Sequence, residues 1–285
     1  MKTQFEKGIT FERGHIFPRR YRNLQNLPHW HREHELVLVE SGVATVMADG
    51  NFFTLLTGDG AFLYSEAIHS IRAEEGAVVT VAKIDAAHFR PLLGEHMLQS
   101  PVLTKDHGTK KAMDALFAEL SAPDGYSGAV ADAIATRLLA EMLRREALTE
   151  REGESETAER YKALMDLIHR EYADLTFDEA ARFMHFSRPY FSKFFLSRTG
   201  MTFTQYLNTI RISFAVERLS AGDATVTEVS QSCGFNTIRN FNRVFKALTG
   251  YTPATLPRGY AFIRNIRDYA DTSFDPTLGC TEVLE

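Results

Sequence analysis

The sequence has little cysteine and no long apolar run. Its two cysteines, Cys233 and Cys280, are too few for a disulfide framework, and neither belongs to a CxxC pair of the kind that binds zinc. No stretch approaches the roughly 18 uninterrupted apolar residues of a membrane-spanning helix. The opening MKTQFEKGITFERGH carries charges where a signal peptide has its apolar core. These absences predict a cytoplasmic protein with no membrane association and no cysteine-based metal site.

An excess of positive charge is also missing, because 32 Lys and Arg residues stand against 37 Asp and Glu residues. The charge is distributed unevenly, however. Residues 158–260 hold 13 basic and 9 acidic residues, whereas residues 1–157 hold 17 and 23, and residues 261–285 hold 2 and 5. The basic segment 158–260 is suited to bind phosphate groups. The acidic remainder of the chain limits nonspecific binding to DNA.

The chain does contain an internal repeat with an offset of 50 residues. YFSKFFLSRTGMT, residues 190–202, aligns without gaps on NFNRVFKALTGYT, residues 240–252. Each copy has phenylalanines four residues apart, which fall on one face of a helix, and a basic residue off that face. Each copy then reaches Thr-Gly, where the glycine suits a helix C-terminus. Two similar helices are therefore predicted.

A short helix and a tight turn precede each copy. FDEAARF and EVSQSC are the short helices, and MHF and a segment around Gly234 are the turns. The residues expected to cap the helices are Thr176 and Ser187 in the first unit, and Thr225 or Thr227 and then Asn236 or Thr237 in the second. A helix, a short turn and a capped second helix form the helix-turn-helix motif. The stretch FTQYLNTIRISFAVERLSAG predicts a long helix that joins the two units.

On these motifs, residues 158–260 resemble the DNA-binding domain of the AraC/XylS family of bacterial transcription regulators. The residues that carry the resemblance are SRPYFSKFFLSRTGMTFTQYLNTIRI and VTEVSQSCGFNTIRNFNRVFKALTGYTP. The resemblance implies that the second helix of each unit, here called a reading helix, enters the major groove of a double-stranded operator. The stretch Leu196-Ser197-Arg198 departs from the family, which usually has a more basic pair there, so weaker backbone contacts are expected from the first unit.

The residues that read DNA are expected on the faces of the reading helices that the core does not use. In the second helix, Ile238, Phe241, Phe245 and Leu248 are expected to face inward, with Ile238 early enough to touch a thymine methyl group. Arginine suits guanine edges and asparagine suits adenine edges. The expected DNA contacts are Arg188, Ser192, Lys193, Thr237, Arg239, Asn240, Asn242 and Arg243. Contact with a phosphate alone is the alternative for each of them.

Residues 28 to about 100 contain short apolar segments separated by turn signals, without helical segments between them. Asp49-Gly50, between VATVMA and FFTLL, is a strong hairpin signal. Many short strands in succession are typical of an antiparallel barrel or jelly roll. The N-terminal part is therefore predicted to be an antiparallel β-barrel.

The stretch HWHREHE, residues 29–35, concentrates histidines and glutamates at the start of this region. If it is a strand, alternate residues share a face, so His29, His31 and Glu35 converge, Glu33 joins them, and His34 points to the surface. The pattern HxHxxxE, followed by six residues and Gly42, resembles the first motif of the cupin superfamily.

The second cupin motif is only partly present. Gly58 and His69 match it, but Tyr64, Glu66 and Ala73 stand where that family has proline, glycine and asparagine. By this resemblance the four metal positions of metallocupins are held by His29, His31, Glu35 and His69, a set that suits iron, manganese, nickel or zinc.

The alternative to a metal centre is an effector pocket without metal. AraC-like regulators commonly carry a cupin-like sensor whose histidines and glutamates line the ligand site. The residues expected to bind the effector are His29, His31, Glu33, Glu35, Tyr64 and His69. The resemblance favours a sugar or sugar derivative as the effector, since relatives with this type of sensor often control sugar use.

The expected fold class is α+β, with an N-terminal cupin-like antiparallel barrel and following helices, and a C-terminal all-α domain of two helix-turn-helix units joined by a long helix. The expected boundaries are 1–104 for the effector-sensing barrel, 105–150 for a helical segment, 151–158 for a linker, 159–260 for the DNA-binding domain and 261–285 for a tail. In the helical segment, Val130, Ile134, Leu138 and Met142 recur every four residues. This stripe indicates either a dimer contact or packing against the barrel of the same chain.

Together these features predict a sequence-specific transcription regulator that is not an enzyme. The expected partners are operator DNA, a small-molecule effector, a second copy of the chain and, if the regulator is an activator, RNA polymerase. Activation is the commoner outcome in the family and is therefore favoured here. Two rival functions remain open: a metal-responsive regulator that uses the His/Glu cluster, and a cupin enzyme.

Overall fold

The computed structural model describes residues 14–94, 96–121, 123–150, 155–222, 224–257, 260 and 277–284. These residues fall into two compact units. The N-terminal unit takes the described residues up to 150 together with 280–284, and the C-terminal unit takes those from 155 to 260 together with 277–279. Of the tail expected at 261–285, residues 261–276 lie outside the described part.

The N-terminal unit is built from antiparallel strands followed mainly by helices, as the sequence predicts. In chain order its elements are β1 (Ile16–Arg22), β2 (His34–Ser41), β3 (Val43–Ala48), β4 (Asn51–Leu56), β5 (Gly60–Leu63), β6 (His69–Ala73), β7 (Val78–Ile84), α1 (Ala86–Leu93), β8 (His96–Leu98), α2 (Thr109–Ser121), α3 (Ser127–Arg145), β9 (Leu148–Glu150) and, from the end of the chain, β10 (Glu282–Val283). A five-stranded sheet has the order β10-β1-β7-β2-β5, and a three-stranded sheet has the order β4-β3-β6. Strands β8 and β9 form a separate pair.

One side of the five-stranded sheet packs against the helices. Leu36 and Leu38 of β2 and Ile84 of β7 belong to the same buried cluster as Met113 of α2 and Leu138 of α3. The other side of the sheet carries the residues that alternate with these. The five-stranded sheet thus has a helix-covered side and a second side that contributes to the polar cluster described below.

The apolar stripe of α3 packs within its own unit. Leu138 and Met142 are buried in the cluster shared with the sheet, and Ile134 packs against it. Val130, at the start of the stripe, is 40% exposed. The sequence left open a dimer contact or packing within the chain. Leu138 and Met142 pack against the sheet of the same chain.

The hairpin expected at Asp49-Gly50 is present. Both residues have positive φ, 47° and 85°, and Ala48 pairs with Asn51 across the turn. Two consecutive residues with positive φ match the right-handed twist of the flanking strands, which explains why the sequence uses Asp-Gly here.

The C-terminal unit is helical and contains both helix-turn-helix units. Its helices are α4 (Glu156–Arg170), α5 (Phe177–Phe183), α6 (Arg188–Thr199), α7 (Phe203–Ala221), α8 (Val226–Ser232) and α9 (Ile238–Thr249), followed by a 3₁₀ turn (Pro253–Thr255). Helices α5 and α6 form the first helix-turn-helix, α8 and α9 form the second, and α7 joins them. The repeat in the sequence is therefore a repeat of structure.

Side-chain caps set most helix starts of this unit, but Ser187, the expected cap of α6, makes no side-chain hydrogen bond there. Thr176 and Thr225 each form a capping box, with Glu179 and Glu228 respectively, and Thr237 accepts a hydrogen bond from the backbone N–H of Asn240. Thr225 and Thr237 are thus the caps among the alternatives that the sequence left open.

The turns of the two units differ in the residue that takes positive φ. His185 has φ of 57° in the first unit, and Gly234 has φ of 79° in the second. A Cβ atom at Gly234 would lie 2.0 Å from the carbonyl oxygen of Ala173, so only glycine fits there. His185 shows that the first unit accommodates a side chain at its turn.

Several elements differ from the sequence-based expectations. Strand β1, helix α1 and the β8–β9 pair were not anticipated, and β9 lies within the segment 105–150 that was expected to be helical. Helix α4 starts at Glu156, inside the expected linker 151–158, because Ser155 caps it by accepting from Ala158 N. The end of the tail is not separate from the fold, since β10 pairs with β1.

Candidate functional site

All eight residues expected to contact DNA lie on the solvent-exposed surface of the C-terminal unit. Arg188, Ser192 and Lys193 belong to α6. The remaining five are Thr237, Arg239, Asn240, Asn242 and Arg243, on α9 or at its cap. The structure therefore leaves two polar, partly basic helix faces uncovered within this unit.

The buried face of α9 is formed by Phe241, Val244 and Phe245, at 0%, 7% and 0% exposure. The expectation that Ile238 and Leu248 face inward is wrong, since they are 41% and 39% exposed. Val244 completes the buried face because it lies within one turn of both phenylalanines, whereas Ile238 and Leu248 are at the two ends of the helix. Ile238 is thus a surface apolar residue at the start of the reading helix, where a thymine methyl group could be contacted.

Some of the expected DNA contacts also have structural roles. Thr237 caps α9, and Asn240 Oδ1 accepts a hydrogen bond from Arg243 Nη2 over 2.9 Å. Arg188 Nη1 lies 3.0 Å from Asp178 Oδ1, and its guanidinium lies over the Phe177 ring. Arg188 is therefore paired with α5 of its own helix-turn-helix, while its side chain remains 70% exposed.

The four residues expected to form a metal or effector site come together between the two sheets. His29, His31, Glu35 and His69 are 5%, 1%, 3% and 1% exposed. Glu35 lies on β2, and His69 is the first residue of β6. Ligand atoms of all four residues lie within 4.8 Å of one another. We call these four residues the His/Glu cluster.

The route by which the cluster forms differs in part from the expectation of one continuous strand. Strand β2 begins only at His34, and the preceding residues contain a bend at Arg32 and Glu33. His29 instead pairs with His69 through two backbone hydrogen bonds of 3.0 and 2.9 Å. The convergence therefore depends on this bridge as well as on strand alternation.

Each histidine of the cluster directs Nδ1 towards a backbone carbonyl oxygen two residues away. The pairs are His29 with Leu27 at 2.8 Å, His31 with Glu33 at 3.1 Å and His69 with Ala67 at 2.8 Å. Because a carbonyl oxygen can only accept, each Nδ1 carries a hydrogen, and Nε2 is the ring nitrogen through which each histidine would bind a metal. Metal-binding histidines are typically oriented in this way.

Charge is concentrated on His31 and Glu35. His31 Nε2 lies 2.9 Å from Glu35 Oε1, and both side chains are buried. Burial and nearby Lys83 act to lower the pKa of His31, but the carboxylates of Glu35 and Glu33 outweigh them and raise it to about 9. Burial likewise disfavours the ionised form of Glu35, but His31 and His69 hold the pKa of its carboxyl well below the usual range. The cluster without a ligand is thus stabilised as an ion pair.

Part of the cluster's hydrogen-bonding capacity is unused among the described residues. Glu35 Oε2, His69 Nε2 and Glu33 Oε2 are buried and have no hydrogen-bond partner there. Leaving such atoms unsatisfied is costly. Three imidazoles and one carboxylate suit a borderline divalent cation such as zinc, iron, manganese or nickel, so the donor set fits a metal.

Two buried cations on the same side of the five-stranded sheet as Glu35 were missed by the sequence analysis. Lys83 pairs with Glu35 across β7 and β2, and its Nζ lies 3.8 Å from Glu35 Oε1. Arg19 is opposite Val81 on β1, and both cations are 8% exposed. Lys83 was detectable in VVTVAKID, where it alternates with valines, but Arg19 required β1 to be recognised.

Tyr64 and His34 lie on the helix-covered side of the sheet, away from the His/Glu cluster. Leu63 pairs with Glu35, so the next residue, Tyr64, points the opposite way, and its hydroxyl accepts from Leu98 N over 2.8 Å. The expectation that His34 is at the surface is wrong, because it is 3% exposed and packs against the Tyr64 ring. The six expected effector residues therefore do not form one site.

A second group of potential ligands was not expected from the sequence. His15 Nδ1 lies 2.8 Å from Asp132 Oδ2, and Asp132 Oδ1 accepts from His15 N. The His88 ring stacks on that of His15 at 3.6 Å, with 6° between the planes. The two parallel rings would have to rotate before both could direct a lone pair at one ion. We therefore describe His15, His88 and Asp132 as a contact that joins the residue before β1 to α1 and α3.

None of the helices in the described part of the chain combines the length and the hydrophobicity of a membrane span. Comparison with known families matches residues 18–169 to the AraC-like ligand binding domain and residues 180–258 to a helix-turn-helix domain. The transcriptional activator RhaS of Escherichia coli strain SE11 is 23% identical over 244 residues, which cover 81% of this chain and 87% of RhaS.

Two further comparisons are more limited. The uncharacterized HTH-type transcriptional regulator YtdP of Bacillus subtilis strain 168 is 34% identical over 98 residues, and the match spans 33% of this chain but only 13% of YtdP. Among solved structures, ToxT of Vibrio cholerae bound to a naphthalenyl butenoic acid is 15% identical, with a TM-score of 0.43, over 84% of this chain and 97% of that one.

Proposed function

The chain belongs to the AraC family of DNA-binding transcription regulators, and on this premise we propose that it is an activator controlled by a sugar-like effector bound in its N-terminal unit. The DNA-binding function follows from the family and from the two helix-turn-helix units. The activator role is supported by RhaS, which is a transcriptional activator. RNA polymerase would then be a partner, and a homodimer is the proposed assembly.

The observation that carries the DNA-binding mode is the pair of exposed reading-helix faces. On α9, Arg239, Asn242 and Arg243 are exposed, while Phe241 and Phe245 anchor the other face in the core. Arginine and asparagine make bidentate contacts with guanine and adenine edges. On α6, Lys193 offers one further cation. We propose that α6 and α9 read two neighbouring segments of the major groove.

The effector is proposed to act from the N-terminal unit through differential binding. A ligand can shift a regulator only if it binds one arrangement of the protein better than another, with couplings typically about 1 to 3 kcal/mol. The sugar class itself rests on the sequence resemblance.

A second candidate function, a metal-responsive regulator, is favoured by the unsatisfied atoms of the His/Glu cluster. We propose that His29, His31, Glu35 and His69 hold a divalent metal. The Nδ1–H bonds to backbone carbonyls would keep the three rings in place, and Glu35 would supply the negative charge. When bound, the metal would join β2 to β6 and offer remaining coordination positions to effector hydroxyls.

Selection of genomic DNA fragments on the full-length protein tests the proposed function. Binding is carried out at about 150 mM salt to suppress counterion-driven adhesion, with and without candidate sugars and metals. We expect enrichment of a motif with two boxes about one helical turn apart. In vitro transcription from the recovered fragments should then rise in the presence of the effector. Enrichment with repression would contradict the activator role alone, and no enrichment would contradict the whole proposal.

A further inference from the structure

A cavity of about 470 Å³ lies on the helix-covered side of the N-terminal unit, separate from the His/Glu cluster. It opens between the ends of β2 and β5 and helix α1, and none of the four cluster residues lines it. Its volume is within the roughly 300 to 1,000 Å³ that is usual for small-molecule sites. Tyr64, which the sequence assigned to effector binding, and the unexpectedly buried His34 are both part of its lining.

The charges that line the cavity are mostly positive. Arg32 and Arg90 contribute two permanent positive charges, and among the described lining residues Glu66 supplies one negative charge. The N-terminus of α1 is not the source of this potential, because Asp85 caps it by accepting from Ala87 N and His88 N. The positive character of the cavity therefore depends on the two guanidinium groups.

The cavity also has features that suit the uncharged part of a ligand. Tyr64 and Leu93 provide apolar lining surface. His34 Nδ1 accepts from Ser65 N over 2.8 Å, which ties the ring to the loop after β5. A cationic end and an apolar wall together suit a small organic anion.

A short loop connects the cavity to the His/Glu cluster. Glu66, on the cavity rim, has φ of 68°, which is uncommon for a residue other than glycine, and its N–H donates to the carbonyl oxygen of His31 over 2.7 Å. The next residue, Ala67, accepts from His69 Nδ1 over 2.8 Å. A ligand that shifts this loop would therefore displace the backbone partners of two cluster histidines.

We propose that this cavity binds a phosphorylated metabolite of sugar size through Arg32 and Arg90. A phosphate monoester carries about −1.5 to −2 charges at neutral pH, which matches two guanidinium groups, and its oxygens fit their bidentate geometry. The proposal rests on the proposed function, in which the effector is a sugar derivative, and it assigns both the charge of that effector and the place where it binds.

Titration of the full-length protein with glucose 6-phosphate and fructose 6-phosphate tests the proposal, with glucose and fructose as neutral controls. Binding is followed by calorimetry and by the fluorescence of Trp30, the single tryptophan. We expect both phosphorylated sugars to bind in preference to the neutral ones. Arg32→Gln and Arg90→Gln should each weaken binding roughly tenfold or more, because each removes charge-assisted hydrogen bonds. Arg72→Gln, at an exposed arginine of β6, is the matched control and should bind like the wild type.

Three results would overturn the proposal: neither phosphorylated sugar binds, the neutral sugars bind equally well, or both arginine variants bind like the wild type. Inorganic phosphate lacks the sugar, so its affinity shows what the phosphate group contributes alone. It should compete only weakly with glucose 6-phosphate if the apolar wall of the cavity contacts the sugar. Operator selection on the same preparations separates this proposal from the proposed function. A protein that enriches an operator but fails these titrations remains a regulator with a different effector site.

Discussion

The Nε2 atom of His69 lies 3.4 Å from Oε2 of Glu35, and neither atom has a hydrogen-bond partner among the described residues. The two residues belong to different sheets, β6 and β2. A buried imidazole nitrogen and a buried carboxylate oxygen in this arrangement need a proton or a cation between them. The pair therefore joins the two sheets either as an ion pair or through a bound cation.

Protein purified without an affinity tag should contain one divalent metal per chain at this cluster. His69→Ala removes a ligand and should abolish tight binding at this site, whereas His96→Ala, at an exposed histidine of β8, should retain it. Elemental analysis after extensive dialysis measures the metal content. A wild-type protein that takes up no zinc, iron, manganese or nickel on reconstitution would show that the cluster is an ion-pair network alone.

Gly234→Ala should destabilise the C-terminal unit by roughly 3 kcal/mol or more, since the new Cβ combines a backbone clash with positive φ. Gly222→Ala provides a matched control. Gly222 also has positive φ, 78°, but nothing lies within 4 Å of the position that an added Cβ would take, so a cost of only about 1 kcal/mol is expected. Urea unfolding of both variants measures the difference, and equal costs would show that the contact with Ala173 is not restrictive.

Asp166→Asn should change how stability depends on pH. Burial raises the pKa of Asp166 to about 6, with Arg170 opposing the shift. Because the folded-state pKa exceeds the unfolded value of about 4, the stabilisation from the protonated carboxyl is complete below pH 4 and is lost as the pH rises through 6. Asparagine cannot ionise, so the variant should be more stable than wild type at pH 8 by about 1 to 2 kcal/mol. Thermal unfolding at pH 5 and pH 8 checks this, and parallel pH profiles would contradict it.

Removal of residues 280–285 should destabilise the N-terminal unit by about 1 to 3 kcal/mol, because it exposes the edge of β1 and leaves buried groups unpaired. Thr281 is fully buried, and its Oγ1 accepts from Gln25 N over 2.9 Å. Glu282→Ala is the control, since its ion pair with Arg22 is half exposed on both sides and is worth at most about 1 kcal/mol. Thermal unfolding compares the two variants. A truncated protein as stable as wild type would show that β10 only rests on the sheet.

Local patterns predicted much of this structure. The Asp49-Gly50 hairpin needs only its two turn residues. Both reading helices have phenylalanines four residues apart, and α9 also has its Thr237 cap, whereas α6 has no side-chain cap. The sequence analysis left both Thr225 and Thr227 open as caps, although only Thr225 has a glutamate three residues ahead. That residue, Glu228, forms the capping box with Thr225.

The elements that were missed depend on distant partners. Strand β1 is rich in arginine and contains Pro18, and its partners are distant: it pairs along its length with β7, and its Arg20 packs on Phe117 and pairs with Glu40. Strand β10 pairs with β1 more than 250 residues earlier, as in Tyr21 with Val283, for which there is no local signal. The sequence grouped Tyr64 with the His/Glu cluster, whereas the structure places it on the other side of the sheet, because its direction depends on the register of β5 with β2.

The affinity of the full-length protein for its selected operator and for a scrambled duplex, at about 150 mM salt, measures whether the protein recognises a DNA sequence. Arg239→Ala should weaken operator binding by about 1 to 3 kcal/mol and leave binding to the scrambled duplex nearly unchanged. Arg137→Ala, at an exposed arginine of α3 in the other unit, should leave both affinities unchanged. Equal losses on both duplexes would show that Arg239 contacts only phosphate. A wild-type protein that does not distinguish the operator from the scrambled duplex would contradict the account.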